Sequence, residues 1–325
     1  MVYTENAINI LTAKTYKGIG RAWIVKNLKG NETHEKIITL LNIELKENNK
    51  TNLEEFEYKR TKIKLEIQKL ENCIDGIVSI GDENFPKHRG NVKNSEQPIV
   101  LFYQGNLNLL NINNKNIAVI GLLIPDSDIE KAERNLVDEL VKEGATIISG
   151  LALGCDTIAH SQALKSNGNT VAILPSPLNN ILPSSNANFA KEIVINKGLL
   201  ITEYYEDIKS KMELNSRYQE RDRLQALFSD YIILSASYAK NNQGNDSGSR
   251  LAMEYALNYS IPRAVIYDSN TDENNPKFDL NRQLIKEDRK ITIINLENLF
   301  STVKKILNRK SDSQNTQQSQ LNFFD

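Results

Sequence analysis

The chain is poor in the residues that most enzymes and metal proteins rely on, with two cysteines, three histidines and one tryptophan in 325 residues. Cys73 and Cys155 have no CxxC spacing, so neither a disulfide framework nor a zinc site is expected, and both thiols read as reduced. His34, His88 and His160 are scattered, which limits general-base and metal chemistry. No HExxH, Ser–His–Asp or paired-carboxylate arrangement is recognisable, so no catalytic residue and no metal site is expected. Long apolar runs are missing too. None approaches the roughly 18 residues of a membrane span, and the opening stretch MVYTENAINIL lacks the basic-then-apolar order of an export signal. A cytoplasmic protein without membrane contact is expected. Charge of one sign is absent as well: 40 basic residues face 41 acidic ones, a net −1. Any polyanion must therefore be held by a local patch, because the overall field offers no attraction. GxGxxG and GxxxxGKS/T are also missing, which argues against a dinucleotide or an ATPase loop, and no cofactor is expected.

What is present has a clear order. Ala7–Ala13, Ala22–Leu28, His34–Glu44 and Asn52–Leu70 read as helices, with KTYKGIGRAW as a glycine turn between the first two. Residues 1–74 are therefore expected to form a small helical domain. From residue 75 the pattern changes. Apolar runs at 77–80 and 99–103 precede strands at Ile117–Ile120, Thr146–Ser149, Thr170–Ile173, Leu199–Thr202, Tyr231–Leu234 and Arg263–Tyr267. Helix-like segments at Ser127–Lys142, Asp156–Lys165, Asn186–Asn196 and Ser247–Asn258 alternate with them. A strand at Ile291–Ile294 and a helix at Leu296–Leu307 close the unit. Apolar strands alternating with amphipathic helices predict an α/β fold, an extended Rossmann-like, doubly wound and mainly parallel sheet over residues 75–307. Residues 308–325 are Gln/Ser/Asn-rich and are expected to be disordered up to an apolar tip.

Ligands of doubly wound sheets sit at the carboxyl ends of strands. Three small-residue loops fall there: VIGLLIPDSD (119–128), SGLALGCD (149–156) and NNQGNDSGSR (241–250). Glycine lets the backbone approach an anion, and the amides of the following helix face it. Each glycine alone fits a tight turn equally well; three such loops together point to an anion pocket. In NSRYQERDRLQALFSD (215–230), Arg217, Arg221 and Arg223 stand close together. They read either as surface ion pairs with Glu220 and Asp222 or as guanidiniums gripping phosphate, joined by Arg250. His160 fits a packing role near the second loop better than a base.

These residues resemble a family. SGLALGCDTIAH is similar to the SGLARGIDxxAH signature of the DNA-processing protein A (DprA/Smf) family. FPKHRGNVKNSEQPIVLFYQGN (85–106), IAVIG (117–121), LPSSN (182–186), ERDRLQALFSD (220–230) and SGSRLAMEYAL (247–257) resemble its other blocks, in order over Asn84–Tyr267. The resemblance implies a protein that binds single-stranded DNA without a cofactor and without catalysis. It implies a role in loading a RecA-type recombinase during DNA uptake and recombination, often as a homodimer. Carried over residue by residue, it assigns DNA or phosphate contacts to Gly121, Ser149, Gly150, Gly154, His160, Asn186, Arg221, Arg223, Ser247, Gly248 and Ser249; Lys191, Arg217 and Arg250 are expected to join them through their charge and position. It also likens the hairpin residues Lys17, Gly18, Gly20 and Arg21 to helix–hairpin–helix (SAM-like) DNA modules, whose turn amides contact phosphate.

The departures are specific. The arginine after the first family strand is Leu123, the arginine of SGLARG is Leu153, and the asparagine of RNR is Asp222. Loss of phosphate contacts lowers affinity and flattens its salt dependence. The end of the chain, with Gln320, Leu321, Phe323 and Phe324, resembles the QLxLF peptide that docks on the replication sliding clamp. Two alternatives share the fold: a nucleotide-binding sensor, and a nucleoside-monophosphate phosphoribohydrolase. The PGGxGTxxE motif of the latter is met only by SGSRLAME, with Glu254 two positions too far along.

Overall fold

The computed structural model describes residues 1–240 and 248–308. Four helices come first: α1 (Glu5–Lys14), α2 (Arg21–Asn27), α3 (His34–Glu44) and α4 (Leu53–Gln68). Side-chain oxygens of Thr4, Thr33 and Asn52 cap three of them, accepting from amides in the first turn. Two strands follow, β1 (Gly76–Ser79) and β2 (Val100–Gly105). The alternating part runs β3 (Asn116–Ile120), α5 (Ser127–Lys142), β4 (Thr146–Ser149), α6 (Cys155–Lys165), β5 (Thr170–Ile173), α7 (Ala187–Ile195) and β6 (Leu199–Thr202). It continues with α8 (Lys211–Leu227), β7 (Tyr231–Leu234), α9 (Gly248–Asn258), β8 (Arg263–Ile266), α10 (Ser269–Asp272), α11 (Asp279–Glu287), β9 (Thr292–Ile294) and α12 (Leu299–Asn308).

Among the described residues these strands form one nine-stranded sheet, ordered β1-β2-β6-β5-β4-β3-β7-β8-β9. β1 and β2 pair antiparallel, as do β2 and β6; every other pairing is parallel. The doubly wound, mainly parallel sheet is therefore as expected. Its short apolar strands are buried along their whole length from β3 to β8, because helices cover both faces.

Successive side chains of a strand serve opposite faces. Ile117, Val119, Ile147 and Ile233 point to the side of α5 and α12, while Ala118, Ile120, Ile148, Ile232 and Leu234 point to the side of α8 and α9. The front helices share their core with the sheet: Ile8, Leu41 and Phe56 belong to one cluster with Phe102, Ala172 and Leu200. Three helices go beyond the pattern read from the sequence. α8 has a mostly polar sequence, α10 is a single short turn, and α11 follows an Asn/Asp-rich stretch that masks its start. No helix among the described residues is long and apolar enough to cross a membrane.

Candidate nucleic-acid interface

Sequence order reverses around β3: β4, β5 and β6 extend to one side and β7, β8 and β9 to the other. The carboxyl end of β3 is thus the topological switch point, where doubly wound sheets place ligands. A crevice of about 450 Å³ opens there, within the range of ligand pockets. Gly121 after β3, Ala152 and Leu153 after β4, Tyr218 and Arg221 of α8, and Gly248 and Ser249 of α9 line it. Two of the three glycine loops and the first residues of α9 therefore meet in one place; residues 241–247, including Ser247, lie outside the described residues.

The loop Ser149–Asp156 has its own internal anion. The Asp156 carboxylate accepts from the Ala152 amide (3.2 Å) and from Nη1 of Arg221 (3.2 Å). Once its amide is turned to meet both donors, the Gln225 side-chain oxygen accepts from the Gly150 amide (2.9 Å) and from Arg221 Nη1 (3.1 Å). The Cys155 amide donates to the Leu122 carbonyl (2.9 Å). Three amides that a phosphate would use are taken by the protein itself. Gly154 answers to packing as well: its φ is +73°, and a Cβ there would lie 2.3 Å from the Leu122 carbonyl oxygen.

Arg221 is the cationic group of the crevice, and it is held between two acids. Its Nε lies 3.3 Å from Asp222 Oδ1 and its Nη1 lies 3.2 Å from Asp156 Oδ2, with all three side chains nearly buried. Burial alone would lower the guanidinium's affinity for its proton; Asp222 and Asp156 outweigh it and raise it. Burial, with Asp156 adding to it, pushes the Asp222 carboxyl well above the usual range against the pull of Arg221.

Several assigned contacts need correction. Arg223 does not face the crevice. It is 1% exposed and pairs with Glu203, with Glu220 at 3.4 Å, and with the Glu96 carbonyl. Arg217 turns to another cavity. It stacks on Tyr204 (4.2 Å to the ring centroid), pairs with Glu213 at 2.6 Å and donates to the Glu206 carbonyl. Arg21 of the hairpin is spent on Glu203 (3.1 Å) and Glu220 (2.7 Å), which pins α2 to α8. Buried guanidiniums must be matched by internal carboxylates, and that requirement consumes three arginines. Burial would raise Glu203, yet Arg223 and Arg21 outweigh it and hold it below its ordinary value. The expected pairings with Asp222 and Glu220 are present for Arg221 and Arg223, but they lie in a buried network and not on the surface.

His160 is fully buried, bonded to Thr170 Oγ1 (2.7 Å) and set edge-on against Phe189. Burial drops its imidazole to about 4, so at neutral pH it is uncharged and cannot attract phosphate. Ser149 donates to the Val119 carbonyl (2.7 Å), and Asn186 donates to the Leu151 carbonyl (2.8 Å) and to Thr157 Oγ1 (2.9 Å); both are buried. These three residues brace the loop. Arg250 pairs with Glu254. Lys191 is exposed on α7 and does not line the crevice. Lys17, Gly18 and Gly20 are exposed on the hairpin. Gln320, Leu321, Phe323 and Phe324 lie outside the described residues. Asp156, Gln225 and Tyr218 were missed from the sequence. The acid in the first turn of the predicted helix was the available signal for Asp156.

Beside the crevice, Glu133 of α5 is 0% exposed, and neither carboxyl oxygen has a hydrogen-bond partner among the described residues. Burial pushes its carboxyl up to about 8 and the neighbouring Cys155 thiol well up, so both are protonated at neutral pH. A glutamate that keeps its proton when folded, but ionises near 4.5 when unfolded, loses stability as pH rises from 4.5 to about 8. Glu133→Gln removes that titration. The variant should be more stable than the parent by about 3 kcal/mol at pH 7, with the gap closing by pH 4.5, as read from urea denaturation at both pH values.

A doubly wound α/β domain with a walled crevice at its switch point is the class that fold and site define. Residues 76–304 match the model of the DNA recombination-mediator protein A family, and the chain belongs to that family. Among curated relatives, protein Smf from Synechocystis is 31% identical over 165 residues, 50% of this chain and 39% of that one. DNA processing protein DprA from Streptococcus pneumoniae is 30% identical over 193 residues, 58% of this chain and 63% of that one. The chain thus matches less than two thirds of either relative's length. The solved structure of the S. pneumoniae protein superposes with a TM-score of 0.67 at 22% identity, covering 89% of this chain and 94% of that one. That of DNA processing protein A from Helicobacter pylori, described for its unique single-stranded DNA binding mode, gives 0.53 at 27% identity over 65% and 87% of the two chains.

Proposed function

We propose that this protein binds single-stranded DNA at the switch-point crevice, as a cytoplasmic homodimer without catalysis or cofactor, and passes the strand to a RecA-type recombinase. The observation that carries the reading is the crevice, formed where the loops after β3 and β4 meet the start of α9 in a member of this family. The H. pylori relative, known for binding single-stranded DNA, supports it. Loading of the recombinase is supported by family membership, as is the homodimer. Docking of Gln320–Phe324 on a sliding clamp is supported by the peptide's sequence and tested by capture of purified clamp on the full chain and on Phe323→Ala/Phe324→Ala.

Among the described residues the crevice lining offers one cation, Arg221, and it is already paired, so the salt dependence should be shallow. Fluorescence anisotropy with single-stranded and duplex oligonucleotides should show preference for the single strand. The slope of log K against log salt should be no steeper than about −2, which corresponds to two or three phosphates. If no single-stranded oligonucleotide is retained at low salt, or if duplex binds more tightly, the reading is wrong.

A further inference from the structure

We infer that residues 321–324 of this chain seat in an apolar groove between α5, the ends of β8 and β9 and the start of α12, and that the seat hides them from the sliding clamp. The regulatory half of this inference rests on the clamp reading; the seat itself does not. The groove has a volume of about 410 Å³ and lies on the α5 and α12 side of the sheet. Ile266, Phe278 and Ile294 line it from the core, Tyr267 sets its ring edge-on against Phe278, and Leu296 and Leu299 form one wall. Leu296 is 68% exposed, and Phe300, in the first turn of α12, is 57% exposed. Large apolar side chains left bare around a groove mark a docking surface.

The occupant follows from composition and reach. α12 starts at the groove wall and carries the chain over ten residues, about 15 Å, to Asn308. Residues 309–320 are all polar, and the apolar side chains beyond them are Leu321, Phe323 and Phe324. A coil of twelve residues reaches about 20 Å, which matches the way back along α12. A tether matched to its span holds its end at an effective concentration on the order of 1 mM. A seat with a dissociation constant of about 0.1 mM is then filled about nine-tenths of the time. Charge excludes a nucleic-acid occupant: Asp126, Asp128, Asp268 and Asp272 line the groove against one lining cation, Lys131. Three of these carboxylates are already engaged, Asp126 by Lys277 and Asp268 and Asp272 by backbone amides, so an apolar segment meets little bare charge.

The test uses a fluorescent peptide of residues 316–325, titrated with the full chain and with its Phe323→Ala/Phe324→Ala variant. The resident segment blocks the groove in the parent, so the peptide should bind the double variant about tenfold more tightly. Leu296→Asp, at an exposed position of the groove wall, should abolish peptide binding to the double variant. Made in the parent chain, Leu296→Asp should raise capture of purified clamp by about tenfold, because the segment is no longer seated. Equal affinity of parent and double variant for the peptide, or no binding to either, would overturn the inference. A block that weakens as the protein is diluted would assign the groove to a second copy of the chain and overturn it as well. Peptide binding as expected, with clamp captured by none of the variants, would overturn the clamp reading and the regulatory half with it, while the seat would stand.

Discussion

Arg223→Ala is expected to cost about 3–5 kcal/mol of folding stability, a loss visible as a lower urea midpoint at unchanged pH and salt. The guanidinium sits between α8 and the strand β6 end, nearly inaccessible, against Glu203, Glu220 and the Glu96 carbonyl. Removing it leaves Glu203 buried with Arg21 and Lys14 as the remaining cations near it. Loss of a buried charge's main partner is among the few single changes that reach several kcal/mol. Arg223→Met combined with Glu203→Leu removes both charges together and should recover most of the loss, since apolar replacement of a whole buried pair is often close to neutral. If the single variant lost less than about 1 kcal/mol, the pair would not be the structural clamp described above.

Gly150→Ala should be nearly as damaging, for a steric reason. A methyl at this position would lie 1.1 Å from Arg221 Nη1 and 2.7 Å from Asp156 Oδ2. The guanidinium passes directly over the glycine, so the variant must expel it and leave Asp156 and Asp222 facing each other without their cation. About 3–5 kcal/mol should be lost, together with oligonucleotide binding. The mechanism makes a sharper claim than the loss itself. In an Arg221→Ala background, Gly150→Ala should cost less than about 1 kcal/mol, because its harm runs through Arg221. Additive costs of the two changes would contradict that route.

The sheet was legible because its strands declare themselves. Runs such as Asn116–Ile120 and Tyr231–Leu234 are buried on both faces and need no alternation to be found. α8 was harder. Its buried residues include Arg217, Arg221, Asp222, Arg223 and Gln225, so the stripe that faces inward is charged and carries no apolar period. The meeting of the loops after β3 and β4 with the start of α9 could be read from the order of the elements. The direction of each arginine could not, because Arg221 is matched by an acid 65 positions away and Arg223 by one 20 positions away. Local neighbours such as Glu220 gave only part of that wiring. The glycines of SGLALG, read as a cradle for an external anion, turn out to make room for Arg221 and for the Leu122 carbonyl, with Asp156 as the resident anion.

The helices ahead of β1 lean their apolar side chains on Phe102 and Leu200 of the sheet, and Val2 continues the hydrogen-bonded edge through Asp75 and Ile77. Transplanting that N-terminal segment onto a foreign scaffold, or trimming it to obtain a minimal fragment, would therefore strip greasy surface bare on both pieces. Each half should clump unless the other is supplied in trans, so the two behave as complementary fragments of a single folding unit.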